Sequence, residues 1–261
     1  MPLLSNSKYE SDTYKLPKWK ESFIEAFISL FRLDMDRIRA GPIAGSKYYA
    51  MCKIQGLHYR NEKLSSTAKF YYETLGLPNT FSTWYQITLL HEWMLFVRMR
   101  AMPGKYGQNY QQKIVDRTFQ DIELRLSEEM NIHSGRIRDR YLKEFDNQLR
   151  GAILSYDEAF VSDDITLAYA LWRNLFNAKQ DVDYLHLEAL VRYIRMNLYV
   201  LSKLSDREFG FGNFTFVAPN EVVKLLTPKE EIELRKTAHK LFEPKNGKIL
   251  PSQRSKLSLD N

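Results

Sequence analysis

The stretch "ITLLHEWMLFVRMRAMP", Ile87 to Pro103, governs how this chain folds. It is apolar for most of its length yet carries His91, Glu92, Arg98 and Arg100. A run this apolar all round predicts a helix buried among other helices. Charges inside such a helix need partners, because an unpaired buried charge costs several kcal/mol or more. Within 81–102, Glu92 is the one carboxylate that could face the arginines. It lies six and eight residues away, outside the i,i+4 spacing of helix pairs. The partners of Arg98 and Arg100 must therefore come from another helix or another molecule. The following helix, across "PGKYG", offers Asp116, Asp121 and Glu123 as a hairpin's answer.

The same stretch begins like a zinc-protease motif, but Leu95 stands where the second histidine would be needed. Asp183 to His186 has the spacing of one di-iron half-motif, once and with Asp in place of Glu. No metal site and no cofactor is expected. "SYDEAFVSDD" gathers Asp157, Glu158, Asp163 and Asp164. An all-α enzyme holding a diphosphate or lipid-like substrate through magnesium is the alternative this cluster raises. It lacks a second acidic motif, and helix capping explains Asp163 and Asp164. There is no nucleophile elbow and no phosphate loop, and Cys52 has only His58 nearby. No catalytic residue is expected.

Beyond this stretch, the chain of 261 residues has 11 Gly and 9 Pro, too few for a loop-rich β fold. Residues 1–17 are expected to be a flexible arm, and 18–205 a single all-α, helical-bundle-like domain. Its first helix spans 18–33 and is broken by "RAGPIAG" (39–45). "STAKFYYETLG" is a helix stopped by Gly76 and Pro78, and Thr80 or Ser82 caps the helix that follows. Three stripes at helical spacing come next: Val115, Phe119, Ile122, Leu126 and Met130; Ile137, Tyr141, Phe145, Leu149, Ala152, Tyr156 and Phe160; Ala168, Leu171, Trp172 and Leu175. Leu187, Leu190, Val191, Ile194, Leu198 and Leu201 make a fourth. Residues 206–242 should hold an extended Phe/Gly segment and a short helix capped by Thr227 and Glu230. The polar tail 243–261 is expected to be disordered.

The net charge of +6 suits anionic partners without demanding them. The lone cysteine excludes an internal disulfide. Trp84, Trp93, Met94 and Met99 beside two arginines give the composition of a protein-binding surface, with core packing the competing account.

"LGLPNTFSTWYQITLLHEWMLFVRMRA", "VDRTFQDIELRL", "SYDEAF" and "LAYALWRNLF", in that order over roughly 70–200, resemble the ubiquinol–cytochrome c chaperone family. The resemblance implies an all-α, non-enzymatic factor for assembly of respiratory complex III. It implies a location in the mitochondrial matrix, peripheral to the inner membrane, although the N-terminus has no clear presequence. The partners it implies are a small helical subunit, newly made cytochrome b and the mitochondrial ribosome, with no small-molecule substrate. Family-like positions include Leu90, His91, Val115, Phe119, Leu171 and Asn174. Trp84, Trp93, Met94, Arg98, Arg100, Asp116, Arg125, Tyr156 and Arg173 are the residues expected to bind a partner.

Overall fold

A computed structural model of the chain describes residues 40–58, 63–103 and 105–219, all within the compact unit that ends at Val222. The expected arm, the helix over 18–33, the helix at Thr227 and the tail lie outside the described residues. Among those described there is no strand, and the fold is all-α. Eight α-helices follow in order: α1 Tyr49–Gly56, α2 Ser66–Lys69, α3 Phe81–Arg100, α4 Tyr106–Glu128, α5 Gly135–Val161, α6 Asp164–Leu175, α7 Tyr184–Lys203 and α8 Asp206–Gly210.

The opening stretch becomes α3, the axis of the bundle. It packs against α1, α4, α5, α6 and α7, and 15 of its 20 residues are buried, so no solvent face is left for a polar stripe. Thr80 rather than Ser82 caps it, accepting from Thr83 N at 3.1 Å. Asp163 and Asp183 cap α6 and α7 in the same way. The stripe expected on α7 is buried at all six positions.

Elsewhere the structure departs from the periodic reading. Within "RAGPIAG", where a break is expected, the described residues 40–45 are helical, and Ile43–Tyr48 forms a π-helical turn that runs into α1. Pro42 starts that turn at φ −64°, its own preferred value, so its ring imposes no bend. A second π-helical turn, Phe70–Thr74, continues α2, and Gly76 at φ +65° then reverses the chain. On α4 the buried line is Ile114, Thr118, Asp121 and Ile122, while Val115 and Phe119 are half-buried. The stripe is rotated because Thr118 reaches Glu92, and Asp121 accepts from Tyr49 Oη and Lys53 Nζ at 2.7 Å each. A purely apolar pattern cannot reveal a helix that turns satisfied polar groups inward. The first turns of α5 project, with Ile137 exposed and burial beginning at Phe145.

After α7 the sequence also folds differently from expectation. Ser205 and Glu208 form a reciprocal capping box, so 206–210 is a short helix rather than extended chain. The extended run starts only after Gly212, with Phe209, Phe214 and Phe216 in ring contact. Tyr48 and Tyr110 donate to the carbonyls of Phe209 and Gly210, which holds this corner onto the π turn and α4.

Candidate functional site

The charges of α3 find their partners inside the chain, though not on the next helix. Arg98 donates through Nε to the Leu201 carbonyl at 3.1 Å, and through Nη2 to the Leu204 carbonyl (3.0 Å) and Asp206 Oδ1 (2.8 Å). It closes the C-terminal end of α7, where helix carbonyls are left without internal donors. Its side chain is only 2% exposed, and Nη1 has no hydrogen-bond partner among the described residues. Arg100 meets Asp157 Oδ1 at 2.6 Å, and the Trp93 indole donates to the same oxygen at 2.9 Å. The expected α4 acids are used elsewhere: Asp116 by Lys113 and Gln112, Asp121 by Tyr49 and Lys53, Glu123 by Arg138.

His91 and Glu92 sit side by side, both fully buried. His91 Nδ1 lies 2.7 Å from the Ile87 carbonyl, and Nε2 lies 2.8 Å from Tyr193 Oη. A neutral ring fits both, donating from Nδ1 and accepting at Nε2. Burial lowers its pKa to about 4. Burial raises that of Glu92 to about 8, against a smaller opposing effect of the Thr118 hydrogen bond. The Thr118 hydroxyl lies 2.6 Å from Glu92 Oε1 and 2.9 Å from the Ile114 carbonyl. One hydroxyl proton cannot serve both acceptors. A protonated Glu92 removes the conflict by donating to Thr118, whose own proton then goes to Ile114.

These two groups act on stability with opposite signs. Glu92, raised from 4.5, contributes fully below that pH and loses its contribution as pH climbs toward 8. His91, lowered from 6.5, contributes fully above that pH and loses its contribution as pH falls toward 4. Between 4.5 and 6.5 they offset each other, and from 6.5 to 8 Glu92 acts alone. The wild-type chain should therefore lose roughly 2 kcal/mol from pH 6.5 to 8. Glu92→Gln should abolish most of that loss in urea titrations at the two pH values. An equal loss in the variant would place the ionisation elsewhere.

The residues expected to form one partner-binding set are divided by the fold. Trp84, Trp93, Met94, Arg98 and Tyr156 are buried. Their area goes into the core of this chain and leaves no solvent-facing surface at those positions. Arg125 stacks on Trp84, its guanidinium carbon 3.8 Å from the ring centre, and pairs with Glu129. Asp116 is half-buried, and Arg100 and Arg173 are exposed.

In the acidic cluster, Asp157 holds Arg100 and Trp93, and Asp163 caps α6 through Thr166 N, which lowers its pKa. Asp164 pairs with Arg195 at 2.9 Å. Asp157, Asp163 and Asp164 are thus tied into the fold rather than gathered around a shared ligand. Among the described residues no three His, Cys, Asp or Glu side chains are grouped as a metal would require.

Two features had no place in the sequence-based expectations. One is Asp206, whose position is signalled by the Ser205–Glu208 capping box. The other is an exposed apolar display on the α5–α6 hairpin. Leu154 and Val161 on α5, with Ile165 and Tyr169 on α6, are 56 to 79% exposed. Beside the hairpin, a groove of about 500 Å³ opens between the C-terminal ends of α3, α5 and α7. Among the described residues no helix is long and apolar enough to cross a membrane.

Comparison with known proteins agrees with this all-α arrangement. The ubiquinol-cytochrome C chaperone family model matches residues 73–216, from the second π turn to the Phe214–Phe216 corner. The mitochondrial protein CBP3 of Saccharomyces cerevisiae is 62% identical over 260 residues, 99% of this chain and 78% of its own. The human ubiquinol-cytochrome c reductase complex assembly factor 1 is 32% identical over 207 residues, covering 78% of this chain and 67% of its own. In fold, the crystal structure of the Cbp3 homolog from Brucella abortus matches with a TM-score of 0.59 at 20% identity, over 75% of this chain and 98% of that one. The family is described as a chaperone and the human relative is named an assembly factor, neither of which is an enzyme. With the family model spanning more than half of its length, this chain belongs to the ubiquinol-cytochrome C chaperone family.

Proposed function

We propose that this chain is a non-enzymatic assembly chaperone for mitochondrial respiratory complex III that pairs with a small helical subunit. Together they receive newly made cytochrome b at the mitochondrial ribosome, on the matrix side of the inner membrane. The assembly role and the mitochondrial setting rest on the family and on the names of the yeast and human relatives. The finer reading is supported by one observation above all, the apolar side chains that α5 and α6 turn to water.

Four large apolar side chains on one hairpin are costly to leave in solvent, and covering them returns about 25 cal/mol per Å². That is the physical content of a chaperone that holds an apolar client without chemistry. The net positive charge adds steering toward ribosomal RNA or an anionic membrane surface, an effect that salt weakens.

The test is the double variant Leu154→Glu with Ile165→Glu, in the full chain. Both positions are exposed, so the melting temperature should stay within a few degrees of wild type. Recovery of the small subunit and of cytochrome b with the tagged chain from mitochondria should fall at least about tenfold, the loss expected for burying one uncompensated charge. Unchanged recovery of both would move the docking face away from this hairpin.

A further inference from the structure

The acidic cluster of "SYDEAFVSDD" surrounds no shared ligand, yet it lies on the hairpin that turns apolar side chains to water. From Leu154 to Tyr169 the chain has four carboxylates and neither lysine nor arginine. On α5, Leu154, Glu158 and Val161 follow one another at i, i+4 and i+7, and all three are exposed. On α6, Ile165 and Tyr169 stand one turn apart, just after the exposed Asp163 and Asp164. Apolar and acidic groups therefore share one face.

Neighbouring helices cancel only part of that charge. Arg100 of α3 takes Asp157 at 2.6 Å, and Arg195 of α7 takes Asp164 at 2.9 Å. Glu158 and Asp163 pair with no cation among the described residues. Asp163, which caps α6, is held ionised by the Thr166 N–H. Of the arginines nearby in sequence, Arg150 is paired with Asp146, and Arg173 lies roughly 13 Å along α6 from Asp164. That is more than a Debye length, about 8 Å at physiological ionic strength. The hairpin thus keeps the charges of Glu158 and Asp163, although the chain as a whole is positive. Val161 also lines the neighbouring groove, whose arginines already have their own carboxylates, Asp206 for Arg98 and Asp157 for Arg100. Apolar surface therefore continues from the hairpin toward Leu198 and Leu201 without a surplus of positive charge.

A face of this kind repels phosphate, so neither an anionic membrane surface nor RNA suits it. A second copy of the chain, meeting it through a two-fold axis, would set the same acids against each other. Two packed helices offer no backbone edge to extend, and the shape that fits between them is another helix. We propose that the α5–α6 hairpin is a docking surface for a cationic amphipathic helix. The apolar side chains of that helix cover Leu154, Val161, Ile165 and Tyr169, and its Lys or Arg side chains meet Glu158 and Asp163. This rests on the reading of the hairpin as a docking face and adds the charge of what docks there.

The experiment is fluorescence-anisotropy titration of the full chain with three labelled helical peptides. They share one leucine face and carry Lys, Gln or Glu at the polar positions. At low salt the Lys peptide should bind roughly fivefold more tightly than the Gln peptide, as two exposed ion pairs allow, and the Glu peptide more weakly than both. High salt should erase the difference. Glu158→Gln with Asp163→Asn should bring the Lys peptide to the Gln level and leave the Gln peptide unchanged, since asparagine keeps the cap of α6. Leu154→Ser with Val161→Ser should weaken the Lys and Gln peptides alike, by at least about tenfold. Circular dichroism melts confirm that both double variants fold. Equal affinity for the Lys and Gln peptides overturns the proposal, as does a Lys preference that survives loss of the two carboxylates, or binding of none of the peptides. Pelleting with anionic phospholipid vesicles, or self-association in sedimentation, overturns it too if Leu154→Ser with Val161→Ser removes it, and makes the hairpin a membrane or dimer face. The docking reading and this refinement fail separately. Lys-selective binding with unchanged recovery of the small subunit removes the first, and equal Lys and Gln affinity with lost recovery removes the second.

Discussion

Arg98→Met is expected to cost about 3–5 kcal/mol of folding stability, the range for breaking a buried charged pair from one side. Methionine keeps the volume of the stem but removes donors to the Leu201 and Leu204 carbonyls and to Asp206. The two carbonyls would then be left at a helix end with little access to water. Asp206→Asn should cost much less, because the carbonyl bonds remain and Asp206 is partly exposed. Urea denaturation of the two variants decides the matter. If both cost the same, the ion pair and not the closure of α7 is what Arg98 contributes.

Gly107→Ala should be comparably damaging, above the roughly 1–3 kcal/mol usual for an overpacked core. Gly107 is buried in the first turn of α4, and a Cβ there would overlap the Met99 carbonyl of α3, whose carbon lies 2.8 Å away. The obstacle is backbone, so no side chain can swing clear, and the two helices must separate. Gly151→Ala is the control within the same fold. It lies in the exposed interior of α5, and a methyl group added there would meet nothing within 4 Å. That substitution should stabilise by about 0.5–1 kcal/mol. Thermal melts of the pair should move in opposite directions. A shift of Gly107→Ala by less than that of an ordinary surface variant would mean the α3–α4 crossing is more yielding than its geometry implies.

What the sequence could and could not tell depended on distance along the chain. The all-α class and the central helix were readable because a long apolar run has few ways to be buried. The α7 stripe was readable because its six apolar positions dominate the buried face, with Asn197 the polar residue among them. The partners of Arg98 and Arg100 were not, since they lie 108 and 57 positions away. Local spacing pointed to the α4 acids, and those are committed to Lys53, Tyr49, Lys113 and Arg138. The rotation of α4 escaped for a related reason, because Thr118 and Asp121 face inward on hydrogen bonds that only tertiary structure supplies. Trp84, Trp93 and Met94 have the composition of either a binding surface or a core, and burial makes them core. The apolar groups exposed on α5 and α6 break no periodic rule and had no local signature.

The buried charges of α3 also set an order of events during synthesis. His91 meets Tyr193 and Arg98 meets Asp206, contacts that span 102 and 108 positions. A chain emerging from its N-terminus therefore carries a largely apolar helix in which Arg98 and the Nε2 side of His91 wait more than a hundred further residues for their native partners. Contacts of this span are slow to close and leave apolar surface open to aggregation meanwhile. Until Asp206 arrives, Arg98 has no carboxylate to meet.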